Sequence, residues 1–90
     1  MSKRILVTGA AGFVGRRLVG FMLEKGYDVV AVDNIAPLTG GIDPNQGWPL
    51  YNPKDFKNFT FLKIDCRDWF IQNLNEKFDY VFHLAAMVGG

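Results

Sequence analysis

Ninety residues, with ten Lys or Arg against nine Asp or Glu, carry a formal net charge of +1, too balanced to leave the basic footprint of a nucleic-acid binder. Hydrophobic residues make up 49% of the chain, yet no apolar stretch approaches the roughly 18 residues that a membrane-spanning helix needs. One Cys and one His exclude an internal disulfide and argue against a metal site, so no metal is expected and a reduced, cytoplasmic setting follows.

Arg4-Ile5-Leu6-Val7 reads as an apolar strand, and it runs directly into Thr8-Gly9-Ala10-Ala11-Gly12-Phe13-Val14-Gly15. Gly9 permits a sharp turn out of the strand, because it lacks the Cβ that restricts other residues. Gly12 leaves room for phosphate oxygens against the backbone, and Gly15 lets the following helix pack closely on the sheet. The helix N-terminus then offers N–H donors and the positive end of its dipole to an anion. A glycine turn of this kind is a hypothesis until its surroundings agree, the alternative being a turn with no ligand.

The surroundings agree. Val14, Leu18, Phe21, Met22 and Lys25 mark one face of a helix, and Gly26 stops it. Tyr27 to Asp33 forms a second strand that ends in a carboxylate, where an acidic residue is needed to receive the adenosine ribose hydroxyls. That carboxylate suits the 2′-OH of NAD and repels the 2′-phosphate of NADP, and no Arg or Lys follows in Asn34-Ile35-Ala36-Pro37. NAD is the expected cofactor.

The segment from Asn34 to Asn58 holds all four prolines and shows no periodicity. It is expected to be a long loop with a helical turn near Lys54-Asp55-Phe56, folded back on the sheet through Trp48, Leu50 and Tyr51. A third strand spans Phe59 to Asp65. A short helix follows from Asp68 to Glu76, with Asp68 as its cap and Phe70, Ile71 and Leu74 toward the core. A fourth strand, Asp79 to Ala86, is nearly continuously apolar, as a parallel strand covered on both faces should be. Residues 1–90 therefore read as α/β, the N-terminal half of a doubly wound parallel Rossmann sheet with strand order 3-2-1-4.

Four segments in order resemble a known family: the glycine run, the Asp33-Asn34 pair, Asp65-Cys66-Arg67-Asp68, and His83-Leu84-Ala85-Ala86. They are similar to the extended short-chain dehydrogenase/reductases, especially the sugar-nucleotide epimerase/dehydratase group, over nearly the whole chain apart from the proline-rich loop. The resemblance implies a cofactor site of Gly9, Ala11, Gly12, Phe13, Val14, Gly15, Asp33, Asn34, Asp65, Cys66, Leu84, Ala85 and Ala86. In it, Phe13 and Val14 give backbone N–H groups to phosphate, and Asp65 accepts from the adenine amino group. The backbone of Cys66 meets the adenine ring, while Leu84, Ala85 and Ala86 line the cofactor beyond its pyrophosphate.

The resemblance also implies a catalytic Tyr-x-x-x-Lys, which is missing. Ala31, Asp55 and Leu84 stand four residues after Tyr27, Tyr51 and Tyr80. The 90 residues are thus expected to be the N-terminal portion of a longer NAD-dependent epimerase or dehydratase acting on a sugar nucleotide, and inactive alone. A non-catalytic dinucleotide-sensing or scaffolding protein, and an NADP-linked reductase, stand as alternatives. His83 and Cys66 are expected to pack rather than react, Arg67 to be solvated or ion-paired, and the bare fourth strand to drive self-association.

Overall fold

The computed structural model describes residues 3–35, 41–73 and 75–84. The sheet is built on β1 (Arg4–Thr8), which pairs in parallel with β2 (Asp28–Asp33) on one side and with β4 (Tyr80–His83) on the other; β3 (Phe59–Lys63) pairs in parallel with β2. The resulting order, β3-β2-β1-β4, is the one expected from the alternation of strands and helices. Ile5, Leu6 and Val7 on the central strand are wholly buried, which requires cover on both faces of the sheet. Burying each such side chain fully contributes roughly 1.5–3 kcal/mol.

Two helices supply the cover. α1 (Phe13–Glu24) lies on the face carrying Ile5, Val7, Val29 and Ala31, and α2 (Cys66–Gln72) sets Trp69 against Leu6 and Val32 on the other. α1 ends in a Schellman arrangement: Gly26 N–H donates to Leu23 O at 3.0 Å and Tyr27 N–H to Met22 O at 3.2 Å, with Gly26 at φ +84. The long connection between β2 and β3 adds two single-turn 3-10 helices, Pro44–Gln46 and Pro53–Asp55. As expected, it folds back on the α1 face. Trp48 is buried there and meets Tyr51 and Phe59 edge to face.

Several local expectations change. The buried side of α1 is Gly15, Val19, Met22 and Leu23, whereas Val14 and Phe21 are exposed. The helix turns its glycine toward the sheet, and the apolar stripe rotates with it. α2 starts at Cys66 and its cap is Asp65, whose side chain accepts from Arg67 N–H; Asp68 sits in the first turn, where its charge favours the helix dipole. Ile71 faces solvent and Trp69 takes the core position, while Leu74 lies outside the described residues. Leu50 is also exposed, leaving Trp48 and Tyr51 to anchor the loop. β3 and β4 are shorter than expected, and Tyr80 and Val81 are half exposed on the edge strand. No helix among the described residues is long and apolar enough to cross a membrane.

Candidate functional site

All four strands are parallel, so their C-terminal ends open on one edge of the sheet, where ligands of open α/β sheets collect. The segments after β1, β2, β3 and β4 carry the glycine turn, Asp33-Asn34, Asp65-Cys66 and Leu84. The described candidate residues therefore share one edge; Ala85 and Ala86 lie outside the described residues.

The turn after β1 is held against the end of β2. Gly9 N–H and Ala10 N–H both donate to Val32 O, at 2.9 and 3.4 Å. Gly9 has φ 69. A Cβ on Gly15 would stand 2.3 Å from Gly9 O and 2.7 Å from Ala10 Cα, so the start of α1 rests directly on the turn backbone. Gly12 precedes the helix in extended conformation, gives it no side-chain cap, and no acidic residue lies in its first turn. The first N–H groups of a helix have no partners within it. Those of Phe13 and Val14 thus stand at the positive end of α1, with both side chains turned outward to solvent.

Ala11 is fully buried and its peptide groups are used inside the chain. Its N–H donates to Asp33 Oδ2 at 2.9 Å; its carbonyl accepts from Arg16 Nη1 at 2.7 Å and from Ile42 N–H at 3.1 Å. Asp33 is nearly buried and also accepts, through Oδ1, from Ile35 N–H at 2.6 Å. Asn34 beside it is exposed.

The other candidates lie along the rim. Asp65 accepts from Arg67 N–H at 2.8 Å and from the Arg67 guanidinium at 3.2 Å. That guanidinium holds the Asp65 carboxyl below the usual carboxylate range. Burial pushes the Cys66 thiol up, and the Asp65 charge adds to the effect, which disfavours the reactive thiolate. Leu84 N–H donates to Thr8 O at 3.1 Å and keeps the end of β4 beside the turn. Thr8 Oγ1 and His83 Nδ1 are hydrogen-bonded at 2.6 Å, and the His83 ring lies against Phe70. His83 is nonetheless exposed at the end of β4, so it is tied to Thr8 and Phe70 without being packed into the core as expected.

Three contributors were not foreseen. Arg16 lies outside the apolar helix face named from the sequence, and it closes the turn by donating to Ala11 O. Tyr51 donates its hydroxyl to Arg16 O, with its ring over Gly20, where a Cβ would meet it at 2.8 Å. Ile35 adopts φ 55, an unusual conformation for a β-branched residue. From the sequence Tyr51 is expected only to fold the loop back, and the signal for its seat on α1 is Gly20, a small residue inside an otherwise sound helix.

Residues 5–90 match the model of the NAD dependent epimerase/dehydratase family. The chain is 38% identical over 87 residues to the UDP-glucose 4-epimerase of Mycolicibacterium smegmatis, covering 94% of this chain and 26% of that protein. Among solved structures, an epimerase of Methanothermobacter thermautotrophicus matches with a TM-score of 0.68 and 35% identity, over 92% of this chain and 22% of that one. The UDP-glucuronic acid 4-epimerase of Bacillus cereus in complex with NAD matches with a TM-score of 0.68 and 30% identity, over 90% of this chain and 26% of that one. The chain thus spans about a quarter of the length of the proteins it matches.

Proposed function

The chain belongs to the NAD dependent epimerase/dehydratase family, and from that premise we propose that it holds the adenosine and pyrophosphate of NAD within a sugar-nucleotide epimerase or dehydratase. The observation that carries this reading is the meeting of two features at one mouth. The uncapped N-terminus of α1 lies beside the Asp33 carboxylate, and the two are joined by the Ala11 N–H to Asp33 Oδ2 bond of 2.9 Å. A glycine at 15 that lets α1 seat directly on the turn, donors without acceptors from the helix, and a carboxylate one strand away suit a dinucleotide.

Each residue then has a task. Phe13 and Val14 donate N–H groups to the pyrophosphate, and the helix dipole favours its charge. Asp33 has about four acceptor positions. Two are used by Ala11 and Ile35, and the remainder receive the ribose hydroxyls while repelling a 2′-phosphate. Asn34 flanks the ribose, Asp65 and the Cys66 backbone meet the adenine, and Leu84, with Ala85 and Ala86, borders the cofactor beyond the pyrophosphate. Bound NAD supplies a hydride acceptor for the sugar, which is later returned the hydride. None of the three tyrosines is followed four residues on by Lys, so the 90 residues alone are expected to turn over no sugar nucleotide.

The test is a titration of the chain with NADH, followed by cofactor fluorescence, with NADPH in parallel. Saturable binding of NADH that ADP displaces, with NADPH weaker, supports the reading. A folded chain that binds neither cofactor refutes it.

A further inference from the structure

Both oxygens of Asp33 are engaged by backbone donors on opposite sides. Oδ2 accepts from Ala11 N–H at 2.9 Å, in the glycine turn, and Oδ1 accepts from Ile35 N–H at 2.6 Å, two residues downstream. Ile35 is the one non-glycine residue among those described with positive φ, at 55. Backbone strain of this kind persists only where the surroundings fix it, and it gathers at functional sites. Here the Asp33 bond and the packing of Ile35 against the core hold it.

We propose that the Asp33 carboxylate is a staple that fastens the glycine turn to the end of β2, so that the group facing the ribose also sets the shape of the pyrophosphate cradle. The proposal rests on the reading of this mouth as an NAD site. Its force comes from the acceptor count. A carboxylate can serve Ala11 and Ile35 and still have positions left for hydroxyls. It cannot swing away from a 2′-phosphate without releasing both donors. An amide in its place has one accepting oxygen, and its NH2 group confronts the other N–H with a second donor. Discharging this residue therefore does more than lift a repulsion: it frees the turn that both cofactors need.

The staple makes predictions that a purely ribose-directed Asp33 does not, and two variants of the chain separate them. Asp33→Asn removes the charge, while Asp33→Glu keeps it and displaces it. Without ligand, the Ala11 amide should be protected from hydrogen exchange in the parent chain. Its exchange should accelerate about tenfold or more in both variants, the scale of a hydrogen bond to a charged acceptor, while Leu6 and Val30 in the sheet keep their protection. An unprotected Ala11 amide in the parent chain, or unchanged Ala11 exchange in a folded variant, overturns the proposal. If Asp33→Asn loses sheet protection as well, Asp33→Glu decides.

Inorganic pyrophosphate, which has no ribose, provides the ligand arm, read from the NMR shifts of the Phe13 and Val14 amides. The staple predicts weaker pyrophosphate binding in both variants, and no gain of NADPH affinity in Asp33→Asn. Pyrophosphate binding that is unchanged or tighter, or a gain for NADPH, overturns it. A parent chain that binds neither pyrophosphate nor NADH defeats the cofactor reading instead, and Ala11 exchange then judges the staple by itself.

Discussion

Gly15→Ala tests the contact on which the candidate site is built. The added Cβ would lie 2.3 Å from Gly9 O, 2.7 Å from Ala10 Cα and 2.8 Å from Ala10 C, whereas ordinary contact begins near 3.4 Å. All three atoms are backbone, and the turn that carries them is tied to Val32 O and to Asp33. Relief of about 1 Å must therefore come from α1 lifting off the sheet, which loosens Val19, Met22 and Leu23 together. A gap of that size forfeits about a quarter to a half of the dispersion at the contact, and overpacking costs typically about 1–3 kcal/mol. Alanine's better helix propensity returns at most about 1 kcal/mol. Because the clash is with backbone at 2.3 Å, the cost lies at the upper end, about 2–3 kcal/mol, and the net loss is about 1–2 kcal/mol, or roughly 4–16 °C in Tm for a chain of this size. Urea unfolding followed by the fluorescence of Trp48 and Trp69 measures it, one indole on each face of the sheet. A Gly15→Ala chain as stable as the parent, or more stable, would show that propensity outweighs the contact and that the turn is not packed as described.

Tyr51 gives a pH test. Burial raises its phenol above the ordinary 10.0, so above pH 10 the unfolded chain releases this proton before the folded chain does. Stability from this group is complete below pH 10 and declines as pH rises further. Tyr51→Phe should be less stable than the parent at pH 7 by about 0.5–1.5 kcal/mol, the worth of a hydrogen bond, yet lose less between pH 9 and 11; parallel urea-midpoint profiles for the two chains would contradict this. At the sheet edge, Val81 is 51% exposed on β4. Val81→Lys should reduce concentration-dependent association in sedimentation velocity, because a charge on an edge strand opposes pairing with another edge. A parent chain that stays monomeric at high concentration refutes the association itself.

The parts of the fold legible in the sequence are those whose signals are local. β1, the glycine turn and β2 announce themselves by apolar runs, by glycines at fixed spacing and by a terminal carboxylate, and the strand order follows from their alternation. The orientation of α1 was not legible, because the residue that turns to the sheet is a glycine. Hydrophobic periodicity assigns no weight to Gly15 and favours Val14 and Phe21, and reading the stripe one residue early rotates it by about 100°. The cap of α2 was ambiguous for a different reason: Asp65 and Asp68 are both capable, and only the backbone of the preceding strand end decides between them. The second use of Asp33 left no trace in the sequence, since its partners are the peptide groups of Ala11 and Ile35, which every residue possesses.

The site is consequently uneven in how firmly it is held. Three segments converge on the Ala11 peptide: the end of β2 through Asp33, the first turns of α1 through Arg16, and the β2–β3 loop through Ile42. That loop is in turn fastened to α1 by Tyr51 on Arg16 O and by Trp48 beneath it. A long, proline-rich connection that looks like an appendage therefore braces the glycine turn, on the proposed phosphate side of the mouth. The rim at Asp65 and Arg67 has no such support: their pairing is local and solvent-facing, with the Arg67 side chain 86% exposed, and exposed pairs contribute little to rigidity. The proposed phosphate cradle is thus preorganised by tertiary packing, whereas the proposed adenine rim rests on a single helical turn. On that basis, binding is expected to order the rim more than the cradle, because ordering is largest where the fewest contacts precede the ligand.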